Sequence, residues 1–135
     1  MNSNHQYFVF ALMLGVLTFV SGCSLGPGEG GRSSISGKVF LEEYNSSNVL
    51  VNSFYITEER VYIIYGDDSI YGDEYRTSYD GSYRFDFLRK GNYKVFAYSE
   101  CISCPDFTEA IFSEVEITEN GENVVLEDIV IKKWL

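Results

Sequence analysis

The chain has 135 residues, enough for one domain once a leader is set aside and too few for several. Its formal charge is −10, and all ten Lys and Arg lie at or after Arg32, interleaved with acids, so no basic patch exists and nucleic-acid binding is disfavoured. Eleven Tyr and ten Phe give a small domain enough aromatic bulk to build a core without many disulfides.

Tyr7 to Val20 is an unbroken, near-apolar run, short for a spanning helix of about 20 residues and suited to the centre of a secretory signal. Val20-Ser21-Gly22-Cys23 follows directly. Small residues before a Cys at the end of such a run resemble the lipobox of bacterial lipoproteins, although MNSNHQ at the start carries no Lys or Arg. The resemblance implies cleavage before Cys23 and acylation there (diacylglycerol on the thiol, an acyl chain such as palmitate on the new amino group), with the membrane as partner through that lipid. Ser24, not being acidic, favours the outer membrane, with the face left open. The expected division is a signal peptide over 1–22, a lipidated Cys and flexible Gly/Pro/Ser-rich tether over 23–33, and a β-domain over 34–135.

Within that domain the first strand is expected over 34–42, where Ile35, Val39 and Leu41 alternate with more polar neighbours. Val49 to Thr57 reads as an edge strand or an irregular extended connection, and Arg60 to Tyr65, apolar on both faces, as a central covered strand. Gly66 to Glu74 is an acidic loop. Arg76 to Tyr98 reads as three strands joined by two turns: Asp80-Gly81 as a two-residue hairpin loop, and a second turn around Gly91. Tyr83, Phe85 and Phe87 are expected on its buried face. Phe96 and Tyr98 lie on the outer face of its last strand, either covered or forming a binding patch. Ala110 to Thr118 is a one-sided strand, Asn120-Gly121 a hairpin turn, and Asn123 to Lys132 a closing strand with a bulge near Glu127-Asp128. Seven or eight strands and no amphipathic helix give an all-β fold, an antiparallel β-sandwich.

The order SGKVF, VYIIY, TSYDGSYRFDFLRKGNYKVFAYS, EVEIT and a closing apolar strand resembles the transthyretin-like sandwich of carboxypeptidase regulatory-like domains. The resemblance covers about residues 34–132. It implies a fold, common in lipoproteins of the Bacteroidetes type, and no active site, because the catalytic part of a carboxypeptidase is a separate domain.

Cys101 and Cys104, an even pair in an oxidising compartment, are expected to form a local disulfide. A thiol-redox role for them is the weakest reading, since Glu100 and Asp106 would raise a thiol pKa. Asp67, Asp68 and Asp73, with Ser69 and Glu74, are weak calcium candidates whose spacing fits no calcium loop. Tyr62, Tyr65, Tyr71, Tyr75, Tyr79 and Tyr83 have rings that stack on sugars when exposed and fill a core when buried. Phe96, Tyr98, Tyr71 and Tyr75 are therefore the candidate ligand-facing aromatics. No GxSxG motif is present, and the single His, His5, lies in the leader, so no Ser–His chemistry and no cofactor are expected. The sequence thus favours a non-enzymatic, lipid-anchored envelope module for structure or protein interaction, with glycan binding as the alternative.

Overall fold

The computed structural model describes residues 25–135. The leader and Cys23 lie outside the described residues. Nine strands form two sheets. The first sheet is built on β1 (Glu29–Tyr44), which pairs antiparallel with β5 (Ser82–Leu88) and then β2 (Leu50–Tyr55). It also pairs in parallel with β8 (Asn123–Val125) and then β9 (Ile129–Trp134). The second sheet has the order β4 (Asp73–Arg76), β3 (Arg60–Tyr65), β6 (Gly91–Glu100), β7 (Thr108–Ile117), all antiparallel. Nine strands rather than seven or eight arise because the closing strand is interrupted at 126–128, where the sequence places a bulge; the strand expected at 76–79 lies earlier, as β4, and takes up the end of the acidic loop.

The core lies between the sheets. Ile35, Val39, Tyr83, Phe85 and Ile129 on one side meet Val61, Ile63, Tyr93, Val95 and Ile117 on the other. Full burial of such a side chain contributes about 1.5–3 kcal/mol. Tyr83 fits closely: a Cβ on Gly37 would lie 2.5 Å from its hydroxyl oxygen.

Three expectations change. Neither Asp80-Gly81 nor Asn120-Gly121 makes a hairpin. Both turns carry the chain from the second sheet to the first: β4 to β5, and β7 to β8. The turn chemistry itself holds. Gly81 has φ +77°, its N–H bonds Ser78 O at 2.9 Å, and Asp80 Oδ1 accepts from the Ser82 hydroxyl at 2.6 Å. Second, Phe87 is exposed. It has φ +58° and the β1–β5 register slips there, so Leu88 takes the inward place that simple alternation assigns to Phe87. Third, β1 begins at Glu29 rather than 34, so part of the expected tether belongs to the sheet. Arg89 holds this entry segment: its Nε donates to Gly26 O at 2.7 Å, its Nη1 donates to Glu29 O, and its backbone N–H bonds Gly28 O. The Gly28 N–H donates to the Tyr93 hydroxyl at 2.9 Å, and that hydroxyl donates to Arg89 O at 2.7 Å.

Candidate aromatic binding face

The second sheet has one face toward the core and one toward solvent. Strand alternation sends Val61, Ile63, Val95 and Ala97 inward, and so sends Tyr62, Phe96 and Tyr98 outward. Register then aligns them across strands: Tyr62 is opposite Phe96, and Phe96 is opposite Phe112 of β7. The rings touch in sequence. Tyr62 and Phe96 stack with centroids 5.1 Å apart, and Phe96 and Phe112 lie 5.0 Å apart. Tyr98 meets Phe96 edge-on at 5.5 Å and Tyr62 at 5.7 Å. Tyr71 comes from the loop before β4 and lies 4.7 Å from Tyr62.

These five rings form one contiguous patch with an inside and an outside. Phe96 is the filling, 6% exposed between its neighbours. Tyr71, Tyr98 and Phe112 are about half exposed, at 50%, 51% and 53%, and present the ring surface. An aromatic surface of this kind on an outer sheet face is open to the apolar faces of a flat ligand. Its border is polar. Arg60 forms a 4.0 Å ion pair with Glu74 on the β4 side, and the Tyr62 hydroxyl together with Glu74 pushes the Arg60 pKa further up. Lys94 and Glu114 pair at 4.0 Å along the next row. Beyond them a shallow groove of about 450 Å³ opens between Asp67, Asn92 and Glu116. These exposed pairs add little stability; they hold hydrogen-bonding groups beside the rings.

Of the candidate aromatics, Phe96, Tyr98 and Tyr71 come together and Tyr75 does not. Tyr75 pairs with inward-facing Val61 and packs on Phe85 of the other sheet at 6.3 Å. Tyr65 and Tyr83 are likewise taken up in packing, Tyr65 against Tyr93 at 5.9 Å. Burial, with Glu29 nearby, pushes the Tyr65 pKa up to about 12. Tyr79 is 91% exposed and stands apart from the patch. Phe112 was not anticipated. Its signal was an aromatic in phase with Glu114 and Glu116, on the side of β7 that reads as solvent-facing.

Cys101 and Cys104 form the expected disulfide, with Cα atoms 5.4 Å apart. The loop closes on itself, Cys101 N–H bonding Phe107 O at 2.9 Å. Glu109 approaches the sulfurs, a charge that disfavours a thiolate. Asp67, Asp68 and Asp73 are exposed and do not converge. Among the described residues, the one trio of potential metal ligands is Cys101, Cys104 and Glu109, and its sulfurs are bonded to each other.

No family model matches this chain, and no curated protein matches it. Among solved structures, the chain is similar to one described as "a putative carbohydrate binding protein" from Pseudomonas aeruginosa. The identity is 13%, the match covers 78% of this chain and 91% of that one, and the TM-score is 0.46. The described residues form an all-β, two-sheet domain with an aromatic outer face.

Proposed function

We propose that this chain is a lipid-anchored, non-catalytic glycan-binding protein of the cell envelope, built on a transthyretin-like sandwich. The observation that carries the binding assignment is the contiguous patch of Tyr71, Tyr62, Phe96, Tyr98 and Phe112 on the solvent face of the second sheet. Sugar rings have apolar C–H faces and polar rims. The exposed rings match the first, and Arg60, Glu74, Asn92, Lys94 and Glu114 around them match the second. The anchor is assigned to Cys23 from its place after the apolar run, and the outer membrane from Ser24.

Affinity electrophoresis and calorimetry against a panel of neutral polysaccharides test the reading. Tyr98→Ala and Phe112→Ala are each expected to weaken binding about tenfold, as the loss of ~1–2 kcal/mol of ring contact would. Tyr79→Ala, outside the patch, should bind as the parent does. Absence of retention across the whole panel, or patch variants that bind normally, would refute it.

A further inference from the structure

The outward positions of the second sheet form rows that run on past the rings. On β6 and β7, Phe96 faces Phe112, Lys94 faces Glu114 and Asn92 faces Glu116; on β3, Ile64 faces Lys94. Outward residues recur at every second position, about 6.8 Å apart, so Glu116 lies about 13–14 Å from Phe112 along β7. The groove of about 450 Å³ occupies this end, lined by Gly66, Asp67, Asn92, Lys94, Glu114 and Glu116. Rings and groove thus share one face, one pair of strands and one direction.

The loop of residues 66–72 gives that direction a side wall. Its start reaches the groove, where Asp67 is part of the lining, and its end reaches the rings, where Tyr71 lies 4.7 Å from Tyr62. Both ends are fastened to strands: the Gly66 N–H donates to Asn92 O at 2.8 Å, and the Gly72 N–H to Ile63 O at 2.8 Å. A ligand is therefore flanked on the β3 side and free to extend along β6 and β7.

The lining also selects by charge. Asp67, Glu114 and Glu116 bring three carboxylates against one ammonium, Lys94, which pairs with Glu114 at 4.0 Å. A carboxylate only accepts hydrogen bonds, while Asn92 beside them both donates and accepts. Such a lining suits a ligand rich in donating hydroxyls. It repels one that carries its own carboxylates, sulfates or phosphates, and the net charge of −10 adds to that repulsion. We infer that the site holds a linear, uncharged glycan stretched along β6 and β7, and that acidic glycans are excluded. Sugar faces lie on the Phe96–Phe112 row, and sugar hydroxyls bond Asn92 and Glu116 at the far end. This rests on the glycan-binding reading above and adds the ligand's direction, length and charge.

The test uses the neutral polysaccharide that the panel retains most, its oligosaccharide digest graded by length, and the same polymer oxidised at its primary hydroxyls to a polyuronate. In calorimetry, affinity should rise with length until the ligand spans Phe112 to Glu116 and then level off. The polyuronate should bind about tenfold more weakly than its parent, and less so as salt is raised. Asn92→Ala should weaken the long oligosaccharides about fivefold, as loss of a hydrogen bond would, and leave the shortest unchanged. Glu116→Lys should raise affinity for the polyuronate about tenfold. Asn92 and Glu116 are exposed, and circular dichroism on each variant checks that the fold is kept. Affinity independent of length, a polyuronate that binds as well as its parent, or an Asn92→Ala effect equal on short and long ligands would each overturn this assignment while leaving the aromatic face a glycan site. Retention of no polysaccharide would remove the site and this assignment together.

Discussion

Tyr83 is 1% exposed, and its hydroxyl finds no hydrogen-bond partner among the described residues. A buried, unsatisfied hydroxyl carries its desolvation cost without return. Tyr83→Phe keeps the ring that packs against Gly37 and removes that cost. It is expected to raise stability by about 1 kcal/mol in urea unfolding; a clear loss would show that the hydroxyl is satisfied in solution. Glu122 is the opposite case. Its carboxylate accepts backbone N–H bonds from Glu119 at 3.1 Å and Thr118 at 2.9 Å, and these hold its pKa below the ordinary 4.5. A carboxylate with a depressed folded-state pKa contributes fully above its unfolded value, and the contribution is lost as the pH falls through the folded value. Glu122→Gln should therefore flatten the decline of Tm from about pH 5 to about pH 3. Parallel curves for parent and variant would reject that role. Asp80 is shifted the same way by its bonds to the Ser82 hydroxyl and N–H, and is left intact in this comparison.

At the scale of elements, local pattern predicted strands well and their partners poorly. Arg60–Tyr65 appears with the expected bounds, and β2 is the expected edge strand. Alternation is a local property, and these segments carry it plainly. The turns at Asp80-Gly81 and Asn120-Gly121 were also legible, because Gly81 and Gly121 need positive φ. Where each turn delivers the chain was not. A two-residue turn reverses direction, but β5 and β8 pair with β1, a partner far away in sequence. Thr77 takes part in the first crossing: its hydroxyl donates to Ile56 O at 2.6 Å and accepts from the Glu59 N–H at 3.0 Å. The parallel pairing of β8 and β9 with β1 was equally hidden, since nothing local distinguishes a parallel from an antiparallel partner. The binding face was half legible. The outward direction of Phe96 and Tyr98 follows from strand phase, whereas the place of Phe112 beside Phe96 follows from cross-strand register.

At the scale of the whole molecule, the described chain enters at one pole. Pro27 sits against Gly66 and Gly91, where added Cβ atoms would lie 2.9 Å and 2.8 Å from its ring. The Cys101–Cys104 loop follows the other end of β6 and so lies at the opposite pole. Under the proposed anchor at Cys23, the disulfide loop would point away from the membrane and the aromatic patch would stand on the flank between. Metabolic palmitate labelling should then depend on Cys23. Unchanged labelling and membrane partition in Cys23→Ala would remove the anchor while leaving the aromatic face as it is.

Strand β1 is joined along both edges, to β5 and β2 on one and to β8 and β9 on the other. A tether entering at its amino end pulls along the strand axis, and the ladder hydrogen bonds lie across that pull. They take the tension together, in shear, rather than one after another as when a hairpin is peeled open. A protein held by lipid at one pole and gripped on its flank by a fixed polymer would feel such tension whenever the envelope moves. Under the proposed anchor and ligand, the spine of the first sheet would pass that load through the shared core to the sheet that carries the aromatic face.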